Sequence, residues 1–164
     1  MKVIIAVDQT DFANQIIDSV VSNHWPQDTQ FKILSVVEPL HWQSVPCIEW
    51  NQDAAKILEH RKHLANEIAM NARRRIATSI PDSIVHVEIR LGRPKEEIID
   101  SAAEWMADRI ILGAHGHSPN RFFTGSVARS VSQYCGCSIQ LIRLKAPASK
   151  GDNAKAKTSK LALH

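Results

Sequence analysis

Two glycine groups and one carboxylate in this 164-residue chain have the types and spacing to hold a ligand. Gly113-Ala114-His115-Gly116 follows a short apolar run, and after eight further residues, His117 to Thr124, Gly125-Ser126-Val127 opens a helical stretch. Glycine lets a backbone approach a ligand closely, and the free amides and dipole of a helix start suit a phosphate. The chemistry on offer is a phosphate cradle. Asp8 ends the first apolar run, and Gly92-Arg93-Pro94 ends the third with a turn.

Other chemistries fit less well. Glycines beside a strand also serve ordinary tight turns. No Gly-Lys-Ser/Thr follows, so the spacing is not that of a Walker loop, and Ser126 lacks the Gly-x-Ser-x-Gly elbow of a nucleophile. His115 and His117 have no cysteine or carboxylate cluster near them in sequence, and His60 and His63, three apart on a helix, lack the Glu-x-x-His frame, so no protein-ligated metal is expected. Cys47, Cys135 and Cys137 cannot build a disulfide framework, and Cys135-Gly-Cys137 reads as small residues at a buried strand start. Trp42 and Trp50 read as packing residues in a loop, and Arg73-Arg74-Arg75 as a complement to a helix dipole.

The elements that must position the glycines follow from periodicity. Val3 to Val7 and Phe31 to Val37 are nearly continuous apolar runs, the pattern of strands buried on both faces. Between them Ala13, Ile16, Ile17, Val20 and Val21 share one helical face. An amphipathic stripe from Ala54 to Ile76 predicts one helix over about 51 to 78. Ile84 to Leu91 alternates apolar and polar residues and reads as an edge strand. Pro94 suits a first helical position and Glu96 and Glu97 its first turn, with Ile98, Ile99, Ala102, Ala103 and Met106 as the buried face. Arg109 to Leu112, Val127 to Tyr134 and Ser138 to Leu144 complete the order βαβαβαβαβ. Such alternation predicts a parallel sheet covered by helices on both faces, with ligands outside the carboxyl ends of the strands.

Bulk properties bound the function. The length suits one domain. No apolar stretch approaches the roughly 18 to 20 residues that span a bilayer, and the first residues are charged too early for a signal peptide, so a cytoplasmic protein without a membrane partner is expected. The formal charge of +3 is concentrated at the end: residues 145 to 164 hold five lysines and one aspartate, leaving −1 for residues 1 to 144. That tail is rich in Ala, Ser, Lys and Pro and is expected to be disordered; a near-neutral body does not point to nucleic acid.

Over residues 1 to 144 the chain resembles the universal stress protein family, on Ala6-Val7-Asp8, Leu91-Gly92-Arg93-Pro94, Gly113-Ala-His-Gly116 and Gly125-Ser126. The resemblance implies a Rossmann-like sheet of order 3-2-1-4-5 that binds an adenine nucleotide, ATP or alternatively AMP, often with Mg2+ held through the phosphates. It implies that Asp8 bonds the ribose or adenine and that Val36 packs on the base. Gly113, His115 and Gly116 would line the inner phosphates and Gly125, Ser126 and Val127 the outer ones. Ala6, Val7 and Leu112 join this set as flanking residues, and Arg121 as a phosphate partner. It further implies a homodimer through Ser138 to Leu144 in stress response, with ATP turnover slow at most. The spacer from His117 to Thr124 has eight residues where the family has nine. The alternative is therefore a nucleotide-free module that works through dimerisation or partner docking.

Overall fold

The computed structural model describes residues 1–8, 12–39, 53–114 and 124–143. Among the described residues five strands and four helices alternate: β1 (Lys2–Val7), α1 (Ala13–Val21), β2 (Gln30–Val37), α2 (Asp53–Ser79), β3 (Ile84–Leu91), α3 (Pro94–Trp105), β4 (Arg109–Gly113), α4 (Ser126–Tyr134) and β5 (Ser138–Ile142). All strand pairs are parallel, in the order β3-β2-β1-β4-β5. The order reverses between β1 and β4, which places their carboxyl ends side by side.

The pleat explains why the inner strands had to be apolar throughout. Val3, Ile5, Phe31, Ile33 and Ile111 face one side, where they pack with Ile16, Ile17 and Val20 of α1 and Ala69, Ala72 and Ile76 of α2. Ile4, Leu34, Ile110 and Leu112 face the other, against Ile98 and Ala102 of α3 and Ala128 and Val131 of α4. Each fully buried isoleucine or leucine contributes roughly 1.5 to 3 kcal/mol relative to exposure. Among the described residues no helix is long and apolar enough to cross a membrane.

β3 lies at the sheet edge, as its alternation predicts, and its register sets Lys32 beside His86, Leu34 beside Glu88 and Val36 beside Arg90. These polar residues are not simply solvated. Lys32 Nζ lies 2.8 Å from Glu88 Oε2 and Arg90 Nε 2.6 Å from Glu88 Oε1. The buried Ser101 hydroxyl of α3 donates to Glu88 Oε2 at 3.2 Å, and Arg90 also pairs with Glu104. Burial pushes the Glu88 carboxyl up, but the hydrogen bonds and charges of Lys32 and Arg90 outweigh it and hold the group below its ordinary value. The network fastens α3 across β2 and β3.

Two expectations need correction. Met106 and Ala103 are exposed, and Ser101 takes a place on the buried face of α3. The helix stops at Trp105, and Met106 turns to the left-handed conformation at φ 53°, ψ 55°, which carries its side chain off the helical stripe to 73% exposure. Arg75 also leaves the role proposed for it: no basic residue occupies the last turn of α2, and its guanidinium bonds Asn14 and Asp18, tying α1 to α2. Met106→Gly is expected to raise the unfolding free energy by about 1 kcal/mol, because glycine relieves the left-handed strain and little packing is lost. Denaturant unfolding at constant m-value measures it; a decrease would mean that the Met106 side chain contributes packing despite its exposure.

Candidate functional site

The carboxyl ends of β1, β2 and β4 end around one cavity of about 230 Å³. β1 supplies Ala6 and Val7, with Asp8 just beyond; β2 supplies Leu34 and Val36; β4 supplies Leu112 and Gly113. The starts of two helices close it, with Pro94 and Ile98 from α3 and Ser126, Val127 and Ala128 from α4, the latter entered through Gly125. Ile16 of α1 completes the wall. Most of the lining is aliphatic, which suits a flat apolar or aromatic group, while Asp8, Ser126 and main-chain amides supply polar contacts at the rim.

Backbone hydrogen bonds fix these ends. Ala114 N–H donates to the Ile142 carbonyl at 2.8 Å and Gly125 N–H to the Ala114 carbonyl at 2.8 Å, so the chain returns from Gly125 to the end of β4. Gly92 N–H donates to the Val37 carbonyl at 3.2 Å, which starts the turn into α3. Gly92 sits at φ +154°, and a Cβ there would lie 2.2 Å from Glu97 Oε1. The Leu91-Gly92-Arg93-Pro94 turn thus needs its glycine to deliver Pro94 and Ile98 to the cavity.

Electrostatics separates the two helix starts. α3 has Glu96 and Glu97 in its first turn, carboxylates that satisfy its dipole and repel an anion. α4 begins after Gly125 with no acidic residue in its first turn and no side-chain cap bond. Of the two, the start of α4 is the one suited to a phosphate.

The structure gathers Ala6, Val7, Asp8, Val36, Leu112, Gly113, Gly125, Ser126 and Val127 around this cavity. His115, Gly116 and Arg121 lie outside the described residues, as do Trp42, Cys47, Trp50, His117 and the whole lysine-rich tail, residues 144–164. Ile16, Leu34, Pro94, Ile98 and Ala128 also line it, although the sequence marks them only as core or turn residues. Their signal is spacing: Leu34 lies two before Val36 on the same strand face, and Ile98 one helical turn after Pro94.

A model described as the Universal stress protein family matches residues 1–143. The chain is similar to Universal stress protein A homolog 2 of Coxiella burnetii, 29% identical over 89 residues, 54% of this chain and 56% of that one. The matched stretch thus spans little more than half of that relative. Among solved structures, it is similar to the universal stress protein UspA from Lactobacillus plantarum, at TM-score 0.75 and 24% identity, over 87% of this chain and 97% of the other. It is also similar to a universal stress protein family protein from Arabidopsis thaliana solved with AMP bound, at TM-score 0.62 and 13% identity, over 94% and 99% of the two chains. At such identities the two structures speak for the fold.

Proposed function

The chain belongs to the universal stress protein family, and from that premise we propose that its cavity binds an adenine nucleotide, ATP before AMP, and that the protein acts as a nucleotide-responsive homodimer in stress response or signalling. What carries the proposal is the meeting, in one cavity at the strand-order reversal, of the β1 end with Asp8, of Gly113, and of the carboxylate-free start of α4.

The roles follow from chemistry. Leu34, Val36 and Ile98 give an aromatic base an apolar slot, where its burial is favourable. The Asp8 carboxylate accepts from ribose hydroxyls, and the α4 amides and the Ser126 hydroxyl receive the outer phosphates. A divalent ion, when present, is held through those phosphates. The AMP bound by the Arabidopsis relative supports the nucleotide class. Dimerisation is assigned to Ser138–Leu144: β5 ends the sheet, so one side of its backbone faces outward, and Leu141 is exposed.

Denaturing the purified protein is expected to release an adenine nucleotide, and ATP with magnesium is expected to titrate into the emptied protein. No released nucleotide and no binding of ATP or AMP would replace this proposal by the nucleotide-free interaction module.

A further inference from the structure

The cavity proposed for the nucleotide is short of positive charge. Among the described residues that line it the charged group is Asp8, a carboxylate, and no lysine or arginine joins it. The start of α4 supplies about half a positive charge. A nucleoside triphosphate without metal brings roughly four negative charges, against about two for a monophosphate. Arg121, between Gly116 and Gly125 in sequence, would add one cation at most.

The chain carries its densest positive charge on a segment that begins beside this cavity. β5 is parallel to the other strands, so it ends at their carboxyl side, with Ile142 in register with Gly113. Ala114 N–H donates to the Ile142 carbonyl and Gly125 N–H to the Ala114 carbonyl, both at 2.8 Å, which ties the ends of β5 and β4 to the entry of α4. Arg143 follows Ile142 and is exposed. Beyond it, residues 144–164 hold Lys145, Lys150, Lys155, Lys157 and Lys160 against the single carboxylate side chain of Asp152. Covalent geometry keeps Lys145 within about 11 Å of Ile142 and gives Lys160 a reach of up to about 60 Å, so every one of these lysines can return to the cavity mouth. Rival carboxylates at the start of α3 already face cations: Glu96 lies 3.2 Å from Arg93 and Glu97 3.6 Å from Arg90. Residues 1 to 144 carry a net charge of only −1, so the body as a whole offers the segment little attraction.

We infer that the lysine segment 144–164, together with Arg143, acts in cis as the counter-charge for the phosphates of a nucleotide in this cavity, and that it thereby favours a triphosphate over a monophosphate. The inference rests on the nucleotide reading of the cavity. A tethered cation acts at a local concentration in the millimolar range, without any encounter with a second molecule. Each exposed ion pair contributes modestly, so two or three of them amount to about tenfold in affinity. Magnesium neutralises part of the same phosphate charge and competes with the lysines for it. Their contribution is therefore greatest for metal-free ATP.

The test replaces the five lysines together in the full-length protein, Lys145→Gln, Lys150→Gln, Lys155→Gln, Lys157→Gln and Lys160→Gln. ATP and AMP are then titrated calorimetrically, without and with magnesium, into emptied wild type and variant. Metal-free ATP is expected to bind the variant about tenfold more weakly, AMP about threefold more weakly or less, and ATP with magnesium to fall between. The advantage of wild type for ATP is expected to fade as sodium chloride rises from about 0.05 to about 0.5 M. Thermal melting of the two ligand-free proteins checks that the substitutions spare the fold. Saturating AMP is expected to displace ATP from wild type, as it must if the triphosphate sits in the cavity. Equal ATP affinity in two proteins that both bind AMP would overturn the inference and leave the nucleotide reading standing. ATP that AMP does not displace would also overturn it, because the lysines would then hold ATP away from the cavity. A wild type that binds neither nucleotide would overturn the nucleotide reading and this inference with it.

Discussion

Ser126→Asp is expected to weaken ATP binding about a hundredfold, close to 2.7 kcal/mol, while the protein melts no lower than wild type. Ser126 is the first residue of α4, is exposed, and follows Gly125 without any acidic neighbour in the first turn. A carboxylate there complements the helix dipole and stabilises α4 by roughly 0.3 to 1 kcal/mol. The same carboxylate stands where the outer phosphates are proposed to sit, and like charges in contact cost several kcal/mol. Folding and binding therefore move in opposite directions, which damage to the fold cannot imitate. Ser126→Ala, which removes one hydroxyl and adds no charge, is expected to lose tenfold or less. ATP affinity unchanged in Ser126→Asp, measured by calorimetric titration with magnesium, would put the phosphates elsewhere.

How far the sequence reveals this site depends on what each residue's pattern encodes. Strand positions are legible because Val3 to Val7 and Arg109 to Leu112 are apolar on both faces, and only a sheet covered on both sides needs that. The end of each run is equally legible, so Asp8 and Gly113 stand out as strand-end residues. Adjacency of those ends is not encoded in periodicity; the 3-2-1-4-5 order came from the family resemblance, and the pairing of β1 with both β2 and β4 agrees with it. Leu34, Ile98 and Ala128 escape notice for a related reason. An apolar residue at the mouth of a cavity has the same pattern as one in the core, and only the three-dimensional end of the helix stripe separates them. Met106 shows the opposite failure: the stripe continues through it, but the backbone leaves the helix one residue earlier.

β3 carries the largest expected stability effect. Its alternation gives the edge position and one polar face, but not what covers that face: Glu88 is held between Lys32 and Arg90 under α3. Lys32 keeps 12% side-chain exposure and lies 4.9 Å from the centre of the Trp105 ring. Removing Glu88 strands a largely buried ammonium, and breaking such a pair on one side costs about 3 kcal/mol. Glu88→Ala is therefore expected to lower the unfolding free energy by that amount, and Lys32→Met added to it to recover much of the loss, since the two sites are coupled. The pH dependence has a definite sign. Glu88 is held below its ordinary value in the folded protein, so its contribution is complete above the unfolded carboxyl value of roughly 4.3 and is lost as pH falls through the lower folded value. Wild type is thus expected to lose stability in that acid range faster than Glu88→Gln, in which nothing at this position titrates. Urea unfolding at pH 7 and at several values below 4.3 measures both effects. Parallel acid limbs in the two proteins would mean that Glu88 stays solvated and that α3 is held by its apolar face alone.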